Sequence, residues 1–263
     1  MEVRAKKALG QHFLTDKSIA KNIVDALAFE DAGESRHQVL EIGPGMGVLT
    51  QYLLERTDID LKAVEIDEES VNYLIKHFPA IEGRLVKADF LKTGFDDFFT
   101  GRFDIIGNLP YNISSQIFFR LLDNKDRIPQ MVCMIQKEVA ERIAEKPGKK
   151  VYGILSVLLQ AWFDIEYLFT VGEGAFVPPP RVKSAVIRLR RNSRTTLDCD
   201  EKMFKTVVKT AFNQRRKTLR NSLKPLLNGT SGLASEMTSD SIFDLRPERL
   251  GVEDFVRLAK MFE

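Results

Sequence analysis

The sequence predicts an α/β fold with a parallel, doubly wound sheet, followed by a small all-helical domain. Short apolar runs alternate with helical patterns up to about residue 150, and a glycine-rich turn joins the first of these runs to a helix. After about residue 195 only helical patterns remain. Alternating strands and helices are typical of a parallel sheet covered by helices on both faces. We therefore expect two domains, residues 1–192 and 193–263.

Five strands are predicted in the first part of the chain. Each is an apolar run of a length that suits a buried strand, and helical patterns lie between most of them. The strands are expected at residues 39–42, 61–67, 84–89, 103–107 and 131–135, with helices at 19–28, 48–55, 68–78, 113–122 and 137–144.

The pattern changes beyond residue 152. A helix is predicted at 153–163 and strands at 165–171 and 182–189, and the two strands are separated by the stiff segment Phe176-Val177-Pro178-Pro179-Pro180. Three further helices are predicted at 201–212, 216–226 and 252–262. These last helices form the expected second domain.

The composition is that of an ordinary globular protein, with 44% hydrophobic and 29% charged residues in a chain of 263. No apolar run is long enough to span a bilayer, and no apolar segment follows the charged N-terminus. The two cysteines have no partner motif, and the three histidines have no metal-ligand spacing. We expect a cytoplasmic protein without a metal site and, because no interface pattern is evident, a monomer.

The net charge of +2 hides a strong asymmetry along the chain. Residues 181–224 carry 14 Lys/Arg and 3 Asp/Glu, a net charge of +11, whereas the rest carries 25 Lys/Arg and 34 Asp/Glu, a net charge of −9. Within this stretch, residues 202–224 contain eight basic residues and no acidic one. A run of this kind favours a polyanion as partner, with nucleic acid ahead of a membrane surface because no large apolar face accompanies the charges.

The glycine-rich turn Gly43-x-Gly45-x-Gly47 lets the backbone approach a ligand closely. Glu65 ends the next strand, 22 positions after Gly43, where an acid can accept hydrogen bonds from both ribose hydroxyls. Asp89 ends the third strand and is placed to accept from an adenine amine. The spacing differs from that of dinucleotide sites, and no basic residue is placed for a pyrophosphate, which favours S-adenosylmethionine over a nicotinamide cofactor.

The turn Gly107-Asn108-Leu109-Pro110-Tyr111 follows the fourth strand and precedes a helix. The side-chain oxygen of Asn108 and the carbonyl of Leu109 can accept the two N–H groups of an exocyclic amine, and Tyr111 offers a ring for stacking. Taken alone, these residues also fit an ordinary turn with a helix-capping Asn.

Together, a sulfonium methyl donor and an amine-holding turn point to methyl transfer to a base amine. Two acceptors would favour the geometry that frees the amine lone pair, so catalysis would depend on positioning and electrostatics. Phe176 could cover the face of the base opposite Tyr111, and the base would have to be unstacked to enter.

Five motifs resemble those of the bacterial small-subunit ribosomal RNA adenine dimethyltransferases, the KsgA/RsmA family, and they occur in the family order. They are Gly10-Gln11-His12-Phe13-Leu14, Glu41-Ile42-Gly43-Pro44-Gly45-Met46-Gly47, Gly107-Asn108-Leu109-Pro110-Tyr111-Asn112-Ile113-Ser114, Phe176-Val177-Pro178-Pro179-Pro180 and the nine residues 212–220.

The resemblance covers almost the whole chain. It implies a Rossmann-like class I methyltransferase domain and a helical rRNA-binding domain. It also implies dimethylation of two adjacent adenines in a hairpin loop near the 3′ end of 16S rRNA, in the assembling small subunit.

The resemblance also assigns roles by position. Around the methyl donor it places His12, Leu14, Gly43, Gly45, Gly47, Glu65, Asp89 and Asn108. At the target base it places Asn108, Leu109, Tyr111 and Phe176, and at RNA phosphates Arg215, Arg216, Lys217 and Arg220. Many family members have Asn where this chain has His12.

Three alternatives remain open at this point. Resistance methyltransferases of large-subunit RNA share the glycine turn and the Asn-x-Pro-aromatic element, although residues 212–220 favour the small-subunit enzymes. A binding factor that has lost catalysis could keep the fold, although the intact turn argues against it. A DNA adenine methyltransferase is the third alternative, and it calls for a substrate test.

Overall fold

The computed structural model describes residues 3–29, 36–228 and 238–263. The chain divides into two compact units, one formed by Met1–Ala140 and Asp164–Arg191, the other by Glu141–Phe163 and Asn192–Glu263. This division differs from the expected domains 1–192 and 193–263 in one respect, because residues 141–163 group with the second unit. The helix within this segment belongs with the helices that follow residue 192, which sequence order alone does not reveal.

Nine strands lie in the described part of the chain. They are β1 (Phe13–Leu14), β2 (His37–Ile42), β3 (Ile59–Glu65), β4 (Leu85–Lys87), β5 (Asp104–Asn108), β6 (Gln130–Gln136), β7 (Phe163–Val171), β8 (Phe176–Val177) and β9 (Ser184–Arg191).

Seven of these strands form one sheet in the order β4-β3-β2-β5-β6-β9-β7. The pairs β4/β3, β3/β2, β2/β5 and β5/β6 are all parallel, whereas β9 runs antiparallel to β6. The chain winds outward from β2 to β4 and then returns to β5 on the other side of β2. The predicted doubly wound parallel sheet is thus confirmed, and its switch point lies between the ends of β2 and β5, where ligands bind in folds of this kind.

The α-helices begin and end close to the predicted positions in the first unit. They are α1 (Lys17–Asp25), α2 (Thr50–Glu55), α3 (Glu68–His77), α4 (Ser114–Asp123), α5 (Lys137–Ala144), α6 (Ile154–Gln160), α7 (Glu201–Asn213), α8 (Leu219–Ser222), α9 (Lys224–Leu227) and a last helix, Val252–Met261. Short 3₁₀ turns lie at Lys7–Leu9, Pro79–Ile81, Phe95–Asp97, Lys125–Arg127, Glu173–Ala175, Ser241–Asp244 and Pro247–Arg249.

Side chains at their first turns explain where two of the helices begin. Asp16 caps α1 by accepting hydrogen bonds from the backbone N–H groups of Ser18 and Ile19, at 2.9 and 3.1 Å. Asp200 caps α7 through the N–H of Met203, at 2.7 Å. Each carboxylate satisfies donors that have no partner inside the helix.

The predicted helix 216–226 is wrong. Residues 214–217 form a turn, and the short helices α8 and α9 follow it. Pro225 lacks an N–H group and its ring clashes with the carbonyl four residues earlier, so it occupies the first turn of a new helix. The basic side chains at 215–217 therefore project from a turn instead of a helix face.

The segment around Phe176, expected to be extended, forms a second, two-stranded sheet. Strand β8 pairs antiparallel with β1, with Phe13 opposite Val177 and Leu14 opposite Phe176. A two-residue strand leaves no periodic signal, so the sequence did not reveal it. The pairing brings the segment at residues 11–15 together with the segment at 175–178.

Two of the buried carboxyl groups, on β2 and β5, have pKa values raised far above their ordinary values. Glu41 on β2 is 1% exposed and accepts a hydrogen bond from the hydroxyl of Thr50 on α2, at 2.7 Å. Burial raises the pKa of Glu41 to about 8. Burial also raises the pKa of Asp104, at the start of β5, to about 7. Both groups favour the protonated form because an apolar environment disfavours charge.

No helix among the described residues has both the length and the apolar character needed to cross a bilayer.

Strands β2 and β5 approach closely at Gly107. A Cβ atom on this residue would lie 2.6 Å from the backbone carbonyl oxygen of Ile42. Gly107→Ala should lower the free energy of unfolding by about 1–3 kcal/mol, because a backbone atom in a sheet cannot move aside without distortion. Urea unfolding measures this loss.

Gly172→Ala is the matched control. Gly172 is exposed with φ −75° and ψ 157°, and an added Cβ would meet no atom within 4 Å. The control should change stability by less than about 0.5 kcal/mol. Equal effects of the two substitutions would show that the close approach of the strands does not constrain residue 107.

The protonated Glu41 should make stability depend on pH. Between its ordinary pKa of 4.5 and about 8, the folded protein binds one more proton at this site than the unfolded chain. The free energy of unfolding should therefore fall as pH rises through this window, by up to about 1.4 kcal/mol per pH unit.

Glu41→Gln tests this dependence because the amide is neutral at every pH and its oxygen can still accept from Thr50. Urea unfolding at about pH 5 and about pH 8 should show a smaller loss in the variant than in the parent. Asp104 is present in both proteins, so the difference isolates Glu41. Parallel pH profiles would contradict the assignment.

Candidate active site at the switch point of the sheet

A cavity of about 270 Å³ lies at the carboxyl ends of the parallel strands. Its walls come from five parts of the first unit: the segment that leads into β1, the turn after β2, the end of β3, the loop after β4 and the turn after β5. Of the predicted site residues, the cavity is lined by His12, Leu14, Gly43, Gly45, Glu65, Asp89, Asn108, Leu109 and Tyr111. Gly47 and Phe176 do not line it.

The three glycines of the turn after β2 have different tasks. All have positive φ angles, 64°, 57° and 78°, a conformation that other residues rarely adopt. A Cβ on Gly43 would meet nothing within 4 Å, which leaves the backbone open to the cavity. At Gly47 the same atom would lie 2.4 Å from the ring of Phe78. Gly43 therefore leaves room for a ligand, whereas Gly47 lets the turn pack against the residue that follows α3.

The carboxylate of Glu65 is held by backbone amides. One oxygen accepts from the N–H of Gly45 at 3.0 Å, and the other accepts from Ile66 and Asp67 at 2.8 and 2.9 Å. Burial raises the pKa of Glu65, and the three amide hydrogen bonds oppose this rise. The oxygen that meets Gly45 retains capacity to accept from a hydroxyl group, because a carboxylate oxygen has two lone pairs.

Asp89 lies two residues beyond β4 and is partly engaged. One of its oxygens accepts from the N–H of Leu91 at 2.9 Å, and the other lies 3.5 Å from the ammonium of Lys92. The loop that carries it is packed against Arg120 of α4, whose guanidinium lies 4.6 Å from the ring centre of Phe90. The loop thus has a firm support beside the cavity.

Asn108 ends β5 with its amide oriented by the segment at residues 11–14. Its Nδ2 donates to the carbonyl of His12 at 3.0 Å, which leaves the side-chain oxygen as an acceptor. The next residue, Leu109, is buried, and its N–H donates to the carbonyl of Met134 at 3.0 Å, so the turn stays attached to β6. The turn after β5 is therefore fixed on both sides.

The ring of Tyr111 is held in two directions. Its hydroxyl lies 2.5 Å from the hydroxyl of Ser184, and the imidazole of His12 stacks on it with ring centres 5.5 Å apart. Burial raises the pKa of the phenol, so it keeps its proton at neutral pH. One face of the ring is thus already covered.

His12 has partners for both its side chain and its backbone. The imidazole Nδ1 lies 2.8 Å from the carbonyl oxygen of Pro178. Because a carbonyl only accepts, Nδ1 carries the proton in this hydrogen bond. The backbone carbonyl accepts from Asn108, and His12 therefore joins the Asn108 turn to the proline segment.

The structure does not bring Phe176 to the cavity. The side chain is 2% exposed and packs in the hydrophobic core with Leu14, its partner across the β1/β8 pair. The expectation that it covers a base opposite Tyr111 rested on a free extended segment, and pairing with β1 directs the ring into the core instead.

The predicted RNA-binding residues differ in their partners. Arg220 forms an ion pair with Asp244 at 2.7 Å and donates to the carbonyl of Thr238. Arg215 donates to the carbonyl of Lys150. Arg216 and Lys217 are exposed, and within the described residues their side chains form no hydrogen bond or ion pair. Of these four side chains, Arg220 has its charge balanced by a carboxylate, whereas Arg216 and Lys217 have no side-chain partner among the described residues.

Several residues of the site escaped the sequence analysis because their role depends on distant partners. Gln11 donates to Asp67 at 3.4 Å, and Lys6 forms an ion pair with the same carboxylate. Asn112 donates to the carbonyl of Ala8 at 3.4 Å. These contacts hold the wall at residues 6–12 against the ends of β3 and β5. The only feature of the sequence that could have identified Gln11 and Asn112 was that both are polar residues inside the motifs at 10–14 and 107–114.

The cavity fits an adenosyl ligand by its chemistry. The space over Gly43 admits a close backbone contact, and Glu65 presents an acceptor for hydroxyl groups. Ile66, an apolar side chain that is 49% exposed, lies beside them in the lining. No group of three or more potential metal ligands occurs in residues 3–29, 36–228 and 238–263.

Two solved structures with a similar fold match nearly the whole chain. A dimethyladenosine transferase from Plasmodium falciparum matches with a TM-score of 0.78 and 24% identity, over 95% of this chain and 97% of the other. The 23S rRNA methyltransferase ErmE matches with a TM-score of 0.64 and 25% identity, over 94% of this chain and 99% of the other. The similarity extends over both units.

The curated relatives are more similar in sequence. The Ribosomal RNA small subunit methyltransferase A of Parabacteroides distasonis is 61% identical over 97% of this chain and 93% of its own length. The protein of the same name from Cytophaga hutchinsonii is 55% identical over 99% of this chain and 98% of its own length. The sequence model of the family described as Ribosomal RNA adenine dimethylase matches residues 2–262. The chain therefore belongs to the ribosomal RNA adenine dimethylase family.

Proposed function

We propose that this chain is an S-adenosylmethionine-dependent enzyme that dimethylates two adjacent adenines of 16S rRNA, in a hairpin loop near its 3′ end. The observation that carries the proposal is the orientation of Asn108, whose amide nitrogen is committed to His12 and whose oxygen is left to accept from an amine. Curated relatives at 54–61% identity are named Ribosomal RNA small subunit methyltransferase A. In this proposal the enzyme acts as a monomer in the cytoplasm, during biogenesis of the small subunit.

The methyl donor is assigned to the cavity at the switch point of the sheet. When bound, S-adenosylmethionine supplies an electrophilic methyl group. Glu65 would accept from its ribose hydroxyls, and Asp89 from its adenine amine. The turn at Gly43 and Gly45 would follow the ligand closely with its backbone, and His12 and Leu14 would close the opposite wall.

The target adenine is assigned to the turn after β5. The oxygen of Asn108 and the carbonyl of Leu109 would accept the two N–H groups of the amine, which favours the geometry that frees the lone pair for attack. No strong base is required, because the methylated ammonium loses its proton readily. The residues of this turn would therefore act through position and electrostatics.

RNA phosphates are assigned to the turn at residues 215–217. Arg216 and Lys217 are exposed and can meet a polyanion without first breaking an ion pair among the described residues. Arg220 is a weaker candidate for this role because Asp244 already balances its charge. A hairpin loop with unstacked bases is the kind of RNA that a protein can read.

Large-subunit RNA is the alternative substrate, since ErmE shares the fold. The sequence identity to ErmE is 25%, against 61% to the relative from Parabacteroides distasonis. Small-subunit RNA is therefore the stronger proposal.

Transfer of labelled methyl groups from S-adenosylmethionine tests the proposed function directly. Undermethylated small ribosomal subunits should accept label as dimethyladenine, whereas large subunits and duplex DNA should accept none. Label confined to large subunits would favour the alternative substrate. Tight binding to small subunits without any label would identify a binding factor that has lost catalysis.

Asn108→Ala should lower methyl transfer by at least about 100-fold, because removing a positioned acceptor at the reacting atom costs this much in comparable sites. Binding of S-adenosylmethionine, measured by calorimetry, should be partly retained. Asn72→Ala, on the exposed surface of α3, is the control and should be as active as the parent. Full activity of the Asn108 variant would remove this side chain from the mechanism.

Replacing both Arg216 and Lys217 by Ala should weaken binding to small subunits and reduce its salt dependence. The slope of log K against log salt should fall by about one for each phosphate that the variant no longer neutralises. The control replaces Lys17 and Lys21, exposed on α1, and changes the net charge by the same amount. If both double variants changed the slope equally, the effect would come from net charge instead of from this turn.

A further inference from the structure

Ser184, a buried serine at the start of β9, contacts the side chain of Tyr111, the ring on which we expect the target base to stack. Ser184 is 0% exposed, and its hydroxyl oxygen is 2.5 Å from that of Tyr111. Its backbone is fixed by the sheet, where it lies opposite Gln136 of β6. The serine hydroxyl is therefore a rigid partner for the phenol.

The ring of Tyr111 has a second constraint that is independent of the first. The imidazole of His12 stacks on it with an interplanar angle of 29°. His12 is itself held by the carbonyl of Pro178 and, through its own carbonyl, by Asn108. Ser184 thus fixes the far edge of the ring, and His12 covers one of its two faces.

We propose that Ser184 is a positioning residue for the target adenine, because its hydroxyl holds the Tyr111 ring in the plane on which the base stacks. The inference rests on the proposed function of this site. The base stacks on the face opposite His12, with its amine at Asn108 and Leu109. Phe176 is buried in the core, so Tyr111 is the stacking ring of the described site and its orientation sets that of the base.

The hydrogen bond also explains why a tyrosine suits this position. A phenylalanine ring would stack equally well but would turn more freely about its side-chain torsions. The phenol ties the ring to a strand on the opposite side of β6 from β5. A small rotation of the ring would move the amine away from its two acceptors, and such displacements are costly in a reaction that depends on position.

Methyl transfer to undermethylated small subunits tests this role with Ser184→Ala, Tyr111→Phe and the double variant. Each single variant should lower kcat roughly tenfold. The affinity for S-adenosylmethionine, measured without RNA, should stay within about twofold of the parent. Because both substitutions remove the same hydrogen bond, the double variant should lose no more activity than either single one.

Ser222→Ala is the matched control. Ser222 is also buried, at 1% exposure, and its hydroxyl has no hydrogen-bond partner in the part of the chain that the structure describes. This variant should keep the activity of the parent. If Ser184→Ala does not fold, Tyr111→Phe still tests the hydrogen bond, because its kcat and its affinity for S-adenosylmethionine can be measured separately.

Three results would overturn the inference: parent-like kcat in both single variants, losses that multiply in the double variant, or a donor affinity that falls in parallel with kcat. The parent protein separates this failure from that of the proposed function. A parent that transfers no methyl group to small subunits would refute the proposed function itself. An active parent with an equally active Ser184→Ala variant would refute only the role of Ser184.

Discussion

The arrangement of the cavity depends on the hydrogen bond between the amide of Asn108 and the carbonyl of His12. Asn108 is fixed at the end of a buried parallel strand, whereas His12 lies almost a hundred positions earlier in a segment outside the large sheet. The bond gives the segment a defined position across the strand ends. In return, the segment orients the amide, and an asparagine that could point either group outward presents its oxygen. One contact therefore sets both the shape of the site and its chemistry.

The sheet and the turns after its strands could be predicted because their signals are local. The apolar run before Gly43 and the acid that ends the next strand, Glu65, are visible in short windows of sequence. The environments of Phe176 and Arg220 were harder to predict, because they depend on contacts with Leu14 and Asp244. A two-residue strand pair and an ion pair between a short helix and a 3₁₀ turn leave no pattern in the sequence. Features that depend on neighbouring residues were predictable in this chain, whereas contacts between side chains far apart in the sequence were not.

Fewer of the basic side chains in the positively charged stretch are free in the structure than the sequence count indicates, because several form ion pairs. Arg188 meets Glu166, and Arg194 meets Glu253, each within its own unit. Such pairs remove cations from the stretch of 181–224 that stands out by composition. A count of basic residues therefore overstates what is offered to a polyanion. Arg216 and Lys217, whose side chains have no partner among the described residues, are adjacent in one turn and present two positive charges together.

The packing of Gly47 against Phe78 bears on how this glycine is interpreted in diverged relatives. The residue is part of a motif associated with nucleotide ligands, yet it lies outside the cavity, and its missing side chain makes room for an aromatic ring. A larger residue at 47 would clash with the ring of Phe78, and the positive φ at this position would strain it even beside a smaller residue at 78. In a distant homologue, a glycine at the third position would therefore indicate that the turn packs against the end of the helix. A glycine at the first position would be the one that indicates ligand binding.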